Sequence, residues 1–434
     1  METKAGDPGA FAQFDLSRVD SPAFVVDAAK LRDNLRILAD VGERAGVKVL
    51  GALKAFSMWS TAPIIGEYLD GVCTSGLWEA LLASEYYDGE IATYCAAYKP
   101  EDLDEICRIS DHVIFNSPMQ IERAGAILSA ARLRGEDFDI GLRVNPLHAE
   151  GEVPRYDPCA PHSRLGFPID QLEDEHVELI DGIHFHTLCE QDLEPLKRTW
   201  DRLFDHIEPY FGQLKWINFG GGHHITRADY QREELIEFLR DVKEDTGAEI
   251  YLEPGEAVAL DAGILVGTIL DSHWNGMPLA ITDVSATCHM PDVIEAPYRP
   301  AMLGEEDSGA GEPVRLGGPS CLAGDVIGDY RLPVPCRPGE RFAFLDQAHY
   351  SMVKTTTFNG VPAFDLAVGQ RDGPPRTDPA LHLSGFPRPV ELIGSGARRR
   401  PESRIGPRDS SGFSVVEKPG AHAGKTPRPA TVLS

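Results

Sequence analysis

A rhythm constrains this chain more than anything else in it. Between residues 47 and 252 short apolar or β-branched runs return eight times, at 47–53, 71–74, 91–95, 112–115, 140–144, 183–186, 215–219 and 250–252. Most are separated by stretches whose apolar residues recur at helical spacing, at 61–69, 77–87, 101–109, 118–132, 193–206 and 227–246. An amphipathic helix from Ala28 to Arg44 comes first, with Asp27 as its cap and Leu31, Leu35 and Leu38 on one face. Parallel neighbours need a long crossover, and a helix supplies it. Eight strands so alternated predict an α/β fold centred on a closed (β/α)8 barrel of the TIM type over 28–261. The proline-rich segment 145–182 is the irregular part, with a weak helical signal near 169–180.

After residue 262 the pattern changes. Runs such as Ile264-Leu265-Val266, Leu279-Ala280-Ile281 and Phe342-Ala343-Phe344 are separated by Gly/Pro-rich turns, with no long helix. This predicts a C-terminal, mostly β domain over 262–370. The strand at 21–27 precedes the first barrel helix and is expected to join that domain. Residues 1–20 read as a flexible arm. Residues 371–434, with ten prolines, read as a disordered basic tail.

That tail holds 11 basic and 6 acidic residues, so the rest of the chain carries a net charge of −32 out of the total −27. So acidic a body repels nucleic acid and anionic membranes and attracts small cations, besides staying soluble. No apolar stretch reaches the ~18–20 residues of a membrane span, and no signal peptide is visible. The eight cysteines show no Cys-x-x-Cys spacing. That points away from a zinc site or a disulfide framework and toward a reducing cytoplasm.

Active sites of such barrels lie at the C-terminal ends of the strands. Lys54, Thr74-Ser75, Asn116, Arg143, Asn145, His186, Gly220-Gly221-Gly222 and Glu253 all fall there. A lysine, a distant carboxylate and bare backbone between them are what pyridoxal phosphate needs: a Schiff-base amine, a partner for the pyridine nitrogen and a phosphate cradle. Largely apolar neighbours before Lys54 would desolvate its amine. An acid on the pyridine nitrogen makes the ring a strong electron sink, which favours loss of CO2 over racemisation. His184 and His186 share a strand face, and with His223, His224 and His289 they could instead ligate a metal, but Lys54 and the glycines would then be idle. Cys321, in the loop Gly317–Asp325, could protonate a carbanion or be a small buried hydrophobe.

Longer segments sharpen this. They include Ala52-Leu53-Lys54-Ala55-Phe56-Ser57-Met58-Trp59-Ser60, Ser163-Arg164-Leu165-Gly166, His184-Phe185-His186-Thr187-Leu188-Cys189-Glu190-Gln191 and Gly220-Gly221-Gly222-His223-His224-Ile225-Thr226. Leu252-Glu253-Pro254-Gly255-Glu256-Ala257, Ala286-Thr287-Cys288-His289-Met290-Pro291-Asp292-Val293, Cys321-Leu322-Ala323-Gly324-Asp325 and His349-Tyr350 continue the series. Over roughly 21–364 the chain resembles the fold-type III pyridoxal phosphate decarboxylases, the alanine racemase-like barrel group. Within that group it resembles the carboxynorspermidine/carboxyspermidine decarboxylases of polyamine biosynthesis. The resemblance implies a head-to-tail homodimer with shared active sites. It implies that Lys54 carries the coenzyme, His186 stacks on its ring and Glu253 pairs with the pyridine nitrogen. Gly221 and Gly222 would bind the phosphate, Tyr350 would approach the cofactor, and Cys321 of the partner subunit would donate the proton. Ornithine and diaminopimelate decarboxylases have an arginine after Glu-Pro-Gly, where this chain has Glu256. Losing that positive charge suits a long cationic substrate, with Glu256, Asp292 and Asp325 as candidates to grip its amines.

Overall fold

The computed structural model describes residues 3–4, 6–151, 153–305, 312–332, 336–363, 365–369 and 376–377. Eight parallel strands form the barrel: Lys48–Ala52, Gly71–Thr74, Glu90–Tyr94, His112–Phe115, Asp139–Asn145, Gly182–His184, Trp216–Asn218 and Glu249–Leu252. Each pairs with the next, and the last pairs back onto the first through Tyr251 and Leu252. Closure leaves the barrel without an edge strand.

Side chains plug its N-terminal end. The Trp216 indole lies parallel to the His112 ring, centroids 4.5 Å apart, and its Nε1 donates to Asp139 Oδ2 at 3.1 Å. A Cβ on Gly141 or Gly182 would come within 2.5 or 2.1 Å of that indole. Glycine at both positions is therefore what lets the largest side chain lie across the floor, and it leaves the opposite end for the site.

The helix Ala28–Ala45 forms as its pattern predicts. Asp27 accepts a hydrogen bond from the Ala29 N–H at 2.8 Å, Gly46 ends the helix at φ +70°, and Leu31, Leu35, Leu38 and Val41 are buried. The stretch 61–69 is shorter than expected. The α-helix covers only Ala62–Ile65, after a 3-10 turn at Trp59–Thr61, and irregular turns follow it to Leu69. In 145–182 the regular pieces among the described residues are the short strand Phe167–Pro168, the 3-10 turn Ile169–Gln171 and the helix Asp174–Val177.

The second sheet is built on the long strand Gly263–Trp274. It pairs antiparallel with Ala23–Asp27, with Arg341–Leu345 and, further along, with Pro278–Thr282. Val314–Gly317 and Val326–Tyr330 extend one side, and Asp365–Gly369 runs parallel to Ala23–Asp27 on the other. The arm read as loose is fastened instead. Phe11 and Val19 are buried with Val25, Ile264, Val266 and Ala343, and the Asp7 N–H donates to Asp261 Oδ1 at 2.8 Å. Aromatic burial on the sheet outweighs the ordering entropy that a polar arm could not offset. Of the tail 371–434, Arg376–Thr377 pairs with Ala367 and Val368, and the remainder lies outside the described residues. Among the described residues no helix is long and apolar enough to cross a membrane.

Candidate active site

At the C-terminal ends of the barrel strands opens a cavity of about 1150 Å³, whose wall includes Lys54, His186, Gly222, Glu253, Glu256, Asp292 and Tyr350. Residues scattered over 300 positions of sequence thus meet in one space.

Glu253 follows directly on the last barrel strand. The Asn218 amide donates to its Oε1 at 2.8 Å, and His184 Nε2 sits 3.2 Å from its Oε2. Burial alone would push this carboxyl up; the His184 ring, the Lys54 charge and the Asn218 hydrogen bond outweigh it and hold it at about 2. Glu253 is therefore a permanent anion at the base of the site. Burial in turn pulls the His184 imidazole below its ordinary range.

His186 lies beside Lys54, with Nε2 at 3.2 Å from Nζ, and its Nδ1 is 3.0 Å from the Gly221 carbonyl. Burial, then the Lys54 and Arg143 charges, press its pKa well below the usual value, so it stays a neutral flat ring. Lys54 itself corrects an expectation. It is exposed to the cavity, while its neighbours Leu53 and Ala55 are buried behind it. The apolar run before Lys54 belongs to the core and does not wrap the amine.

The glycine run is constrained by close backbone approach. A Cβ on Gly221 would lie 2.0 Å from the Glu253 carbonyl oxygen, and one on Gly222 2.0 Å from that of Leu188. Gly222 also stands at φ +93°, where an L side chain is strained. Gly222→Ala should lower stability by roughly 1–3 kcal/mol from the backbone alone. A melting temperature within a degree of wild type, with and without added coenzyme, would refute that reading of the loop. Glu190, Asp346 and Tyr350 also have positive φ (54°, 52° and 47°), and all three are in the cavity wall. Strain of this kind gathers at functional sites.

Arg143 and Asn116, expected at the strand ends, join the site together with Tyr94 and Asn218, which the sequence did not single out. Arg143 donates to the His186 carbonyl at 3.0 Å, and its guanidinium sits 4.6 Å from the Tyr94 ring centroid. Tyr94 stacks near His184 at 5.7 Å and donates to Asn116 Oδ1 at 2.6 Å. Asn218, two positions after Trp216, shares its inward face; strand alternation was the signal that pointed to it.

Other candidates fall differently. Asp292 is in the wall but already binds Lys354 and accepts from the Tyr156 hydroxyl at 3.2 Å. Asp325 is not in the wall. Its buried carboxylate accepts from Ser285 Oγ at 2.8 Å and from the Ser320 N–H at 3.2 Å, so it fastens its own loop. Cys321 is exposed, is not in the wall either, and is held by its N–H to Asn359 Oδ1 at 2.8 Å. The histidines do not converge as one metal set. His184 is spent on Glu253, His223 Nδ1 meets the Tyr230 hydroxyl at 2.6 Å, and His289 Nε2 meets the Pro362 carbonyl at 3.1 Å, away from the cavity.

With the geometry in place, the chain can be compared with known proteins. A family model described as "Pyridoxal-dependent decarboxylase, C-terminal sheet domain" matches residues 23–348. The chain belongs to the pyridoxal-dependent decarboxylase family. It is therefore an enzyme that uses pyridoxal phosphate to remove carboxyl groups. A carboxynorspermidine/carboxyspermidine decarboxylase of Campylobacter jejuni is 38% identical over 79% of this chain and 91% of its own length. A carboxyaminopropylagmatine decarboxylase of Synechocystis is 37% identical over 80% and 89%. The crystal structure of the Campylobacter jejuni carboxynorspermidine decarboxylase complexed with norspermidine covers 83% of this chain and 97% of its own, with a TM-score of 0.75 at 37% identity. The decarboxylase site fits its coenzyme on three counts: an amine open to the cavity at Lys54, a fixed anion at Glu253, and glycine backbone where no Cβ could stand.

Proposed function

We propose that this decarboxylase converts carboxynorspermidine or carboxyspermidine to norspermidine or spermidine, in the cytoplasm, as a step of polyamine biosynthesis. The observation that carries this reading is the charge of the cavity wall. It holds eight carboxylates against three cationic side chains, Lys54, Arg198 and Lys354. Arg198 is taken by Glu150 at 2.7 Å, and Lys354 by Asp292 and, at 2.6 Å, Glu295. Such a wall favours a substrate with several ammonium groups over one with a second carboxylate. Glu256 is the first choice to receive a distal ammonium, and Asp292 the second, by exchange with Lys354. Asp325 is given no substrate role.

When bound, the coenzyme supplies the sink for the electron pair that departing CO2 leaves behind. Lys54 would be its covalent anchor. His186 packs against its ring. Glu253 would hold a proton at the pyridine nitrogen, the backbone of Gly221 and Gly222 would receive the phosphate, and Tyr350 would approach the cofactor. The Cys321 thiol is exposed and outside its own chain's cavity wall. The reading therefore needs a homodimer in which the partner subunit's Cys321 protonates the α-carbon.

The Synechocystis relative, almost as similar, favours a second reading in which carboxyaminopropylagmatine is the substrate. Steady-state rates on carboxynorspermidine, carboxyspermidine, carboxyaminopropylagmatine, ornithine and diaminopimelate decide between them. The highest kcat/KM is expected on one of the first two. Preference for either short diamino acid would overturn the polyamine assignment. Cys321→Ala is expected to keep the coenzyme and lose correct product; normal turnover would remove the thiol's role. Mixing Cys321→Ala with Lys54→Ala protein should restore activity, since a mixed dimer has one intact site, and no restoration would argue against shared sites.

A further inference from the structure

The cavity wall holds a second arrangement of ligating atoms, set to one side of Lys54 and Glu253. Glu190, His224 and Glu256 each place one donor atom within 4.8 Å of the other two, and all three line the cavity. His224 Nε2 is buried and has no hydrogen-bond partner among the described residues. It faces Glu256 Oε2 at 3.6 Å. That is too long for a hydrogen bond. It is close to the spacing of roughly 3.3 Å between two ligands on one tetrahedral ion with bonds of about 2.0–2.1 Å.

The arrangement is held in place. Gln191 N–H donates to the Gly222 carbonyl at 3.1 Å, and His224 N–H donates to the Gln191 carbonyl at 3.1 Å. These two bonds register the Glu190 segment against the loop that carries His224. The other oxygen of Glu256 faces His349 Nε2 at 3.6 Å, and His349 leans on Asp346 at 3.1 Å.

We propose that Glu190, His224 and Glu256 bind one zinc-class divalent ion, with the fourth position open to the cavity. One imidazole and two carboxylates suit a borderline ion such as Zn2+. The ion neutralises part of the excess negative charge of the wall when no polycation is present. Because Glu256 is also the carboxylate offered to the substrate's distal amine, the ion and the polyamine exclude each other. That exclusion rests on the substrate reading above; the metal site does not.

Zn2+ binding to the coenzyme-loaded enzyme, without substrate, is measured by competition with a chromogenic chelator. Wild type is expected to take up one ion per chain at this site. His224→Gln and Glu190→Gln are each expected to weaken binding by about tenfold or more, with the coenzyme's visible absorbance unchanged as the check on folding. No uptake by wild type, or uptake unaltered in both variants, overturns the proposal. Norspermidine added to the zinc-loaded protein should displace the ion. Displacement failing while both variants still weaken zinc would leave the metal site standing and remove Glu256 from the substrate reading, so the two failures are distinguishable.

Discussion

Lys54→Ala is expected to leave a folded protein that no longer holds its coenzyme covalently and whose decarboxylation rate falls by ~10³-fold or more. Three features argue for so large an effect. The amine reaches the cavity at the end of the first barrel strand, His186 Nε2 is 3.2 Å away, and the Glu253 anion shares the same space. Arg198 and Lys354, the other cationic groups in the wall, are fixed by carboxylates. Neither is free to substitute. Borohydride reduction followed by peptide mapping checks this, with the label on Lys54 in wild type and nowhere in the variant. A variant labelled at another lysine, with activity within tenfold, would dismantle the site as assigned.

Glu253→Gln is the second large effect. The substitution keeps the size and removes the charge proposed to hold the pyridine proton, so kcat should drop by about 10²–10³. It also disturbs the fold locally. His184 and Asn218 both direct groups at this carboxylate, and an amide there replaces charge-assisted contacts with weaker neutral ones, which costs ~1–3 kcal/mol. The pH dependence has a definite sign. The folded carboxyl is depressed to about 2 from an ordinary value of 4.5. Its stabilising contribution is therefore complete above that ordinary value and is lost as pH falls through about 2. The stability gap between wild type and variant should stay level from pH 5 to 9 and close only in strong acid. A gap that opens or closes near neutrality would mean that His184, not Glu253, carries the titration.

Most of the barrel was legible because each strand and helix carries its own periodicity. The eight strands lie within a residue or two of their apolar runs, and the helix Ala28–Ala45 begins at its cap as written. The stretch 61–69 was harder, because apolar spacing continues to Leu69 although the regular helix ends at Ile65. Phe11 was invisible as an anchor, since its partners Ile264, Val266 and Ala343 lie on strands far away in sequence. The same distinction divides the site. Lys54, His186, Glu253 and the glycines stand at strand ends, where the barrel's architecture marks them. Asp325 bears the same charge as Glu256, yet it is spent on Ser285 and Ser320, and charge alone does not tell a fastener from a ligand.

The order of residues by itself determined the barrel, the second sheet and which side chains stand at the strand ends, because these follow from local periodicity of 2 and 3.6. Only the tertiary structure decided what each of those side chains does with its neighbours. It turned His184 toward Glu253, left Lys54 open to the cavity, and set Glu190, His224 and Glu256 around one point. Those outcomes depend on distances between residues far apart in the chain, and no local pattern carries such distances.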